Sequence, residues 1–247
     1  MYSTRQINLS YKDDFRIACK INNLNYADLL QYFIDHVSFY VFIGGNMAAA
    51  YLQATMVCID MMDTIGRRVE EVKDKKIQQI SLKYVKMLTK LIHHTNNKEG
   101  TAKSKTILKD WSDEMLPLTG YFQEIKLLND GKLRLSFDFN LLCSMNGISI
   151  ENQLQYFIDN ISLARSRANN LFQLEQADPC NAVLLSLVSS GEGIKDKVLP
   201  KQAIYRKYGL RLLKLDKKQK EESNLENRIL NYSAFYLDWY HALNKEK

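Results

Sequence analysis

Polar and apolar residues alternate along Gln6-Ile7-Asn8-Leu9-Ser10-Tyr11 and again along Lys132-Leu133-Arg134-Leu135-Ser136-Phe137. A period of two predicts short strands with one buried face, the first turning Ile7, Leu9 and Tyr11 inward. Elsewhere apolar positions recur three and four apart, as at Leu29, Leu30, Phe33, Ile34 and Val37, and predict helices. The expected helices cover about 12–22, 26–42, 46–63, 67–94, 107–115, 119–128 and 138–146, with another from Ile150 and more within 178–247. Ser10, Asn25, Ser149 and the run Ser223–Glu226 stand where helix caps belong. Gly44-Gly45-Asn46, Pro117 and Asn146-Gly147 read as breaks, and 96–105, 129–131 and 189–193 as loops.

The same chemistry occurs twice. Leu30-Gln31-Tyr32-Phe33-Ile34-Asp35 returns 124 positions later as Leu154-Gln155-Tyr156-Phe157-Ile158-Asp159. At that offset Asp14-Phe15, Cys19, Asn22 and Ser38 fall on Asp138-Phe139, Cys143, Asn146 and Ser162. Lys83-Tyr84, Leu88 and Lys90-Leu91 likewise fall on Lys207-Tyr208, Leu212 and Lys214-Leu215. A repeat this long points to a duplicated domain, since solenoid units are far shorter. The expected domains are 1–128 and 129–247. The expected fold is mainly α, with a strand-helix-helix unit at 4–43 and at 130–164, each followed by a helical extension over 46–128 or 165–247.

A short strand, a helix of about three turns, a capped break and a longer helix resemble the ribbon-helix-helix family of DNA-binding proteins, of the Arc/MetJ type. The resemblance covers about 35 residues of each copy and none of the extensions. It implies that the strands at 6–11 and 132–137 pair as an antiparallel ribbon, making an internal pseudo-dimer that enters the major groove of double-stranded DNA. Gln6, Asn8, Ser10, Lys132, Arg134 and Ser136 would then face the bases, and the helix starts at Asn25 and Ser149 the phosphates. The implied role is transcriptional regulation or assistance in DNA transfer, and the extensions offer a route to a homodimer. The alternative is an all-helical interaction or scaffold protein whose strands only close its core.

Composition narrows the rest. A net charge of +6 permits nucleic-acid binding without requiring it. Val37–Ile59 carries no charge over 23 residues, yet its glycines and its charged counterpart, with Arg165 and Arg167, argue for buried helices over a membrane span. Cys19, Cys58, Cys143 and Cys180 form no C-x-x-C pair and read as small buried hydrophobes in a reducing cytoplasm, and residues 1–10 do not read as a signal peptide. No glycine-rich phosphate loop, H-E-x-x-H or G-x-S-x-G motif occurs, and His36, His93, His94 and His241 lack metal-ligand spacing. The expectation is therefore a protein without catalytic residues, metal or cofactor.

Overall fold

The structure is a computed structural model and describes residues 5–66, 73–94, 97–128, 131–170, 178–191 and 202–245. The first half holds β1 (Arg5–Ile7), α1 (Asp13–Ile21), α2 (Tyr26–His36), α3 (Phe39–Phe42), α4 (Ala49–Ile65), α5 (Lys75–His94) and α6 (Asn97–Met115). The second holds β2 (Glu124–Leu127), β3 (Gly131–Arg134), α7 (Phe137–Met145), α8 (Ile150–Asn160), α9 (Leu163–Asn170), α10 (Pro179–Ser190), α11 (Gln202–Gln219) and α12 (Leu225–Lys245). Asn129 and Asp130 of the expected turn, Arg67, Asn96, Glu192 and Gly193 lie outside the described residues. The chain divides into two units, one of residues 1–9 and 30–156, the other of 10–29 and 157–247. Each unit thus draws on both copies of the repeat.

The mainly helical class holds, but the paired ribbon does not form. The sheet of the first unit has the order β1-β2-β3, with β1 parallel and β3 antiparallel to β2. The two repeat-related strands therefore flank β2 and never share a hydrogen-bonded edge. β2 occupies a stretch where a helix was expected. Ile125 and Leu127 are buried and Lys126 is exposed, a two-residue period that matches a strand. Pairing 124–127 with 131–134 closes only a short loop, whereas pairing 6–11 with 132–137 must close one of more than a hundred residues. The local hairpin is the entropically cheaper partner for β3.

On the other edge of β3 the repeated motif supplies a seal. Gln31 accepts from the Arg134 backbone N–H at 2.9 Å and donates to its carbonyl at 3.0 Å, so one side-chain amide stands in for a neighbouring strand. Leu30, Phe33 and Ile34 of that motif are fully buried. The core of this unit gathers around Trp111, which stacks on Tyr84 and meets Phe39 and Phe137 edge-on. Gly44 lies at φ +99 and a Cβ on Gly45 would meet the Tyr40 ring at 2.5 Å, which is why glycines end α3 here.

The second unit packs α1, α9, α11 and α12 around Ile17, Ala168, Tyr208, Tyr232 and Trp239. Its polar interior is organised on Asp216, which accepts from Tyr232 at 2.8 Å and is gripped by both arms of Arg167. Burial pushes the Asp216 carboxyl up, but the Arg167 and Tyr232 hydrogen bonds outweigh it and hold it below its ordinary range.

Repeat-related residues do equivalent work. Asn22 and Asn146 each end a helix by donating to the carbonyl four residues back, at 2.8 and 2.7 Å. Each is followed by a left-handed residue, Asn23 or Gly147. The expected helix over 26–42 breaks instead before Ser38, whose N–H donates to Thr55 at 3.0 Å; Ser162 does the same to Asn181 at 2.9 Å. Two further expectations shift. The polar segment after Asn96, expected as a loop to residue 105, forms the first half of α6, and α12 is capped by Asn224, one residue past Ser223.

Candidate nucleic-acid interface

The outward face of the sheet is polar and mostly basic. Register places Gln6, Lys126 and Lys132 in one cross-strand row and Glu124 beside Arg134 in the next. Lys132 is tied to Glu124 at 2.6 Å, while the side chains of Lys126 and Arg134 make no ion pair among the described residues. Gln6 and Lys132 are thus brought to one surface, but across an intervening strand.

The other expected contact residues scatter. Asn8 and Ser10 are exposed beyond the end of β1, and Ser10 falls in the other unit. Ser136 is the N-cap of α7, accepting from Phe139, and also donates to the Ile34 carbonyl at 3.1 Å. Ser149 accepts from the Asn152 N–H at 3.1 Å, which uses part of the helix start expected to hold phosphate. Asn25 donates to Asp28 at 2.8 Å.

The denser charge lies on two helices that the strand-centred reading passed over. α5 contains five lysines and no acid; α11 contains six cations and one acid, the buried Asp216. With histidines neutral each helix carries +5, so the pair carries +10 against +6 for the whole chain, and everything else sums to −4. The cations Lys83, Lys86 and Lys90 on α5, and Arg206, Lys207, Lys214, Lys217 and Lys218 on α11, are exposed. Lys83 and Lys90 match Lys207 and Lys214 at the repeat offset of 124. A count of charge by helix would have found both faces in the sequence.

The inner side of each basic helix is held alike. The Tyr84 hydroxyl donates to Glu114 at 2.9 Å and Lys83 pairs with the same carboxylate at 2.5 Å. In the second unit the Tyr208 hydroxyl donates to Asp238 at 3.0 Å, and Arg211 pairs with it at 2.7 Å. The cation, then the tyrosine, keeps each carboxyl below its ordinary range, while burial followed by the carboxylate raises each tyrosine.

One carboxyl in the first unit is perturbed the other way. Burial pushes Asp138 up to about 6, against the hydrogen bond it accepts from the Phe39 N–H at 2.8 Å. It borders a cleft of about 300 Å³ with Ser38, Tyr51, Lys105 and Ser112. Its bond to the first N–H of α3 gives it a capping role that accounts for its position. No group of three or more metal-ligating side chains occurs among the described residues, and no helix among them is long and apolar enough to cross a membrane. Comparison with protein-family models, curated proteins and solved structures returns no match for this chain.

Proposed function

We propose that the protein binds duplex nucleic acid through its phosphates, with little dependence on base sequence. The observation that carries this reading is the concentration of charge, +10 on two repeat-related helix faces in a chain of net +6. Helices of 20 and 18 residues run about 30 and 27 Å, long enough to set several cations against successive phosphates. The sheet supports phosphate contact more than base reading. Its outer strands lie about 10 Å apart before side chains are added, which overfills a major groove about 12 Å wide that suits a two-stranded ribbon. Lys126, Lys132 and Arg134 then serve as additional cations.

The test is a titration of fluorescent duplexes of unrelated sequence at low salt, repeated as salt rises. Similar affinities and a steep linear fall of log K against log salt are expected, at about 0.9 per phosphate neutralised. Absence of binding at the lowest salt contradicts the proposal. A second reading, helix-mediated protein association, is favoured by apolar residues set in the same faces: Leu82 and Met87 on α5, and Leu210 and Leu213 on α11, are 41–59% exposed. Light scattering separates the two, because Leu210→Ser with Leu213→Ser dissolves an assembly under the second reading and leaves a monomer unchanged under the first.

A further inference from the structure

The helix pair behind each basic face is built alike but filled differently. In the second unit Tyr205 meets Trp239 edge-on at 5.6 Å and packs against the cluster containing Ile17, Ile21 and Leu243. In the first unit the residue at the Tyr205 position is Ser81, and the residues matching Trp239, Ile17, Ile21 and Leu243 are Met115, Leu141, Met145 and Thr119. Those residues line a cavity of about 410 Å³, a size suited to a small molecule.

Its walls are mainly apolar, and two of the residues that line it carry unsatisfied donors. The indole N–H of Trp111 and the hydroxyl of Thr119 are buried and find no hydrogen-bond partner among the described residues. No charged side chain lines the space. A charged ligand would lose its hydration without compensation, while a neutral one with an acceptor oxygen would satisfy groups that are costly to leave unpaired.

We propose that this cavity is a binding site for a neutral, largely apolar small molecule whose carbonyl or ether oxygen accepts from Trp111 and Thr119. The site is independent of the phosphate-binding reading. At the equivalent place in the second unit Tyr205 packs against the aromatic cluster, so the protein supplies its own comparison.

The naphthyl ketone dye prodan, neutral and equipped with one carbonyl, is the probe for the full-length chain. Saturable binding at one site per chain is expected by fluorescence. Ser81→Tyr, which introduces the second unit's side chain, should weaken binding roughly tenfold or more while leaving circular dichroism unchanged. Thr119→Val keeps the side chain's shape and removes one donor, so affinity should fall about fivefold, and this variant carries the test if Ser81→Tyr does not fold. Failure of the wild-type protein to bind saturably, equal binding by a folded Ser81→Tyr variant, or unchanged affinity in Thr119→Val would overturn the proposal.

Discussion

Tyr84 on Trp111 and Tyr208 on Trp239 are two versions of one packing solution. The rings stack at 8° in both units, with centroids 5.7 and 5.5 Å apart, and each tyrosine hydroxyl reaches a carboxylate held by a cation. The carboxylates, Glu114 and Asp238, match at the repeat offset of 124, whereas Lys83 and Arg211 do not, and neither do the two tryptophans. What persists is therefore a buried phenol and the acid that satisfies its polar tip, while the cation and the stacking tryptophan each come from a position four residues further along in the second unit. Away from this anchor the units diverge inside, one open beside Ser81 and the other filled by Tyr205, while both keep a basic outer face.

The largest expected effects probe the shared anchor. Trp111→Ala and Trp239→Ala should each cost about 3–5 kcal/mol in urea unfolding, as large aromatic truncations in cores do. A cost under about 1 kcal/mol for either would break the equivalence. Next comes a difference between repeat-related acids. Asp138 has its folded pKa raised to about 6 from an ordinary 3.8, so the folded state binds more protons than the unfolded one between those values. Its contribution is therefore greatest below pH 3.8 and is lost as pH rises through about 6, by up to about 3 kcal/mol. Asp138→Asn should flatten that part of the stability profile. Asp14→Asn, at the exposed matching position, should change stability by less than about 0.5 kcal/mol.

Smaller effects sharpen the contrast between filled and open interiors. Tyr205→Ser should destabilise by about 2 kcal/mol, because a half-buried ring leaves a void. Tyr84→Phe and Tyr208→Phe should each cost about 1 kcal/mol, one hydrogen bond apiece. Unequal costs in chemical denaturation would show that the two tyrosine contacts are alike only in geometry.

Periodicity and the repeat made much of the helical scaffold legible, including the break at Gly44-Gly45 and the matched pair Asn22 and Asn146. They did not reveal which strands would pair. Glu124-Ile125-Lys126-Leu127 carries the same alternation as the two expected strands, but the stretch after the Pro117 break was expected to be another helix. Strand pairing depends on competing loop closures, which local pattern does not display. The sheet cations Lys132 and Arg134 were legible as outward residues, whereas Gln31 was not legible as an edge seal, because its partner lies 103 positions away. The basic faces were readable all along as charge per helix. The cavity was half readable: aligning the copies pairs Ser81 with Tyr205, but whether the missing ring leaves space or is replaced depends on packing between distant parts of the chain.

The most direct test of the central claim, that both units present an equivalent phosphate-binding face, is fluorescence anisotropy on a labelled duplex across a salt series. The proteins compared are the wild type, Lys86→Glu with Lys90→Glu on α5, and Lys214→Glu with Lys218→Glu on α11, all at exposed positions. Each pair is expected to weaken binding and to reduce the salt slope by about 2, as the loss of two phosphate contacts requires. Binding that is indifferent to either pair, in proteins that remain folded, would contradict the account.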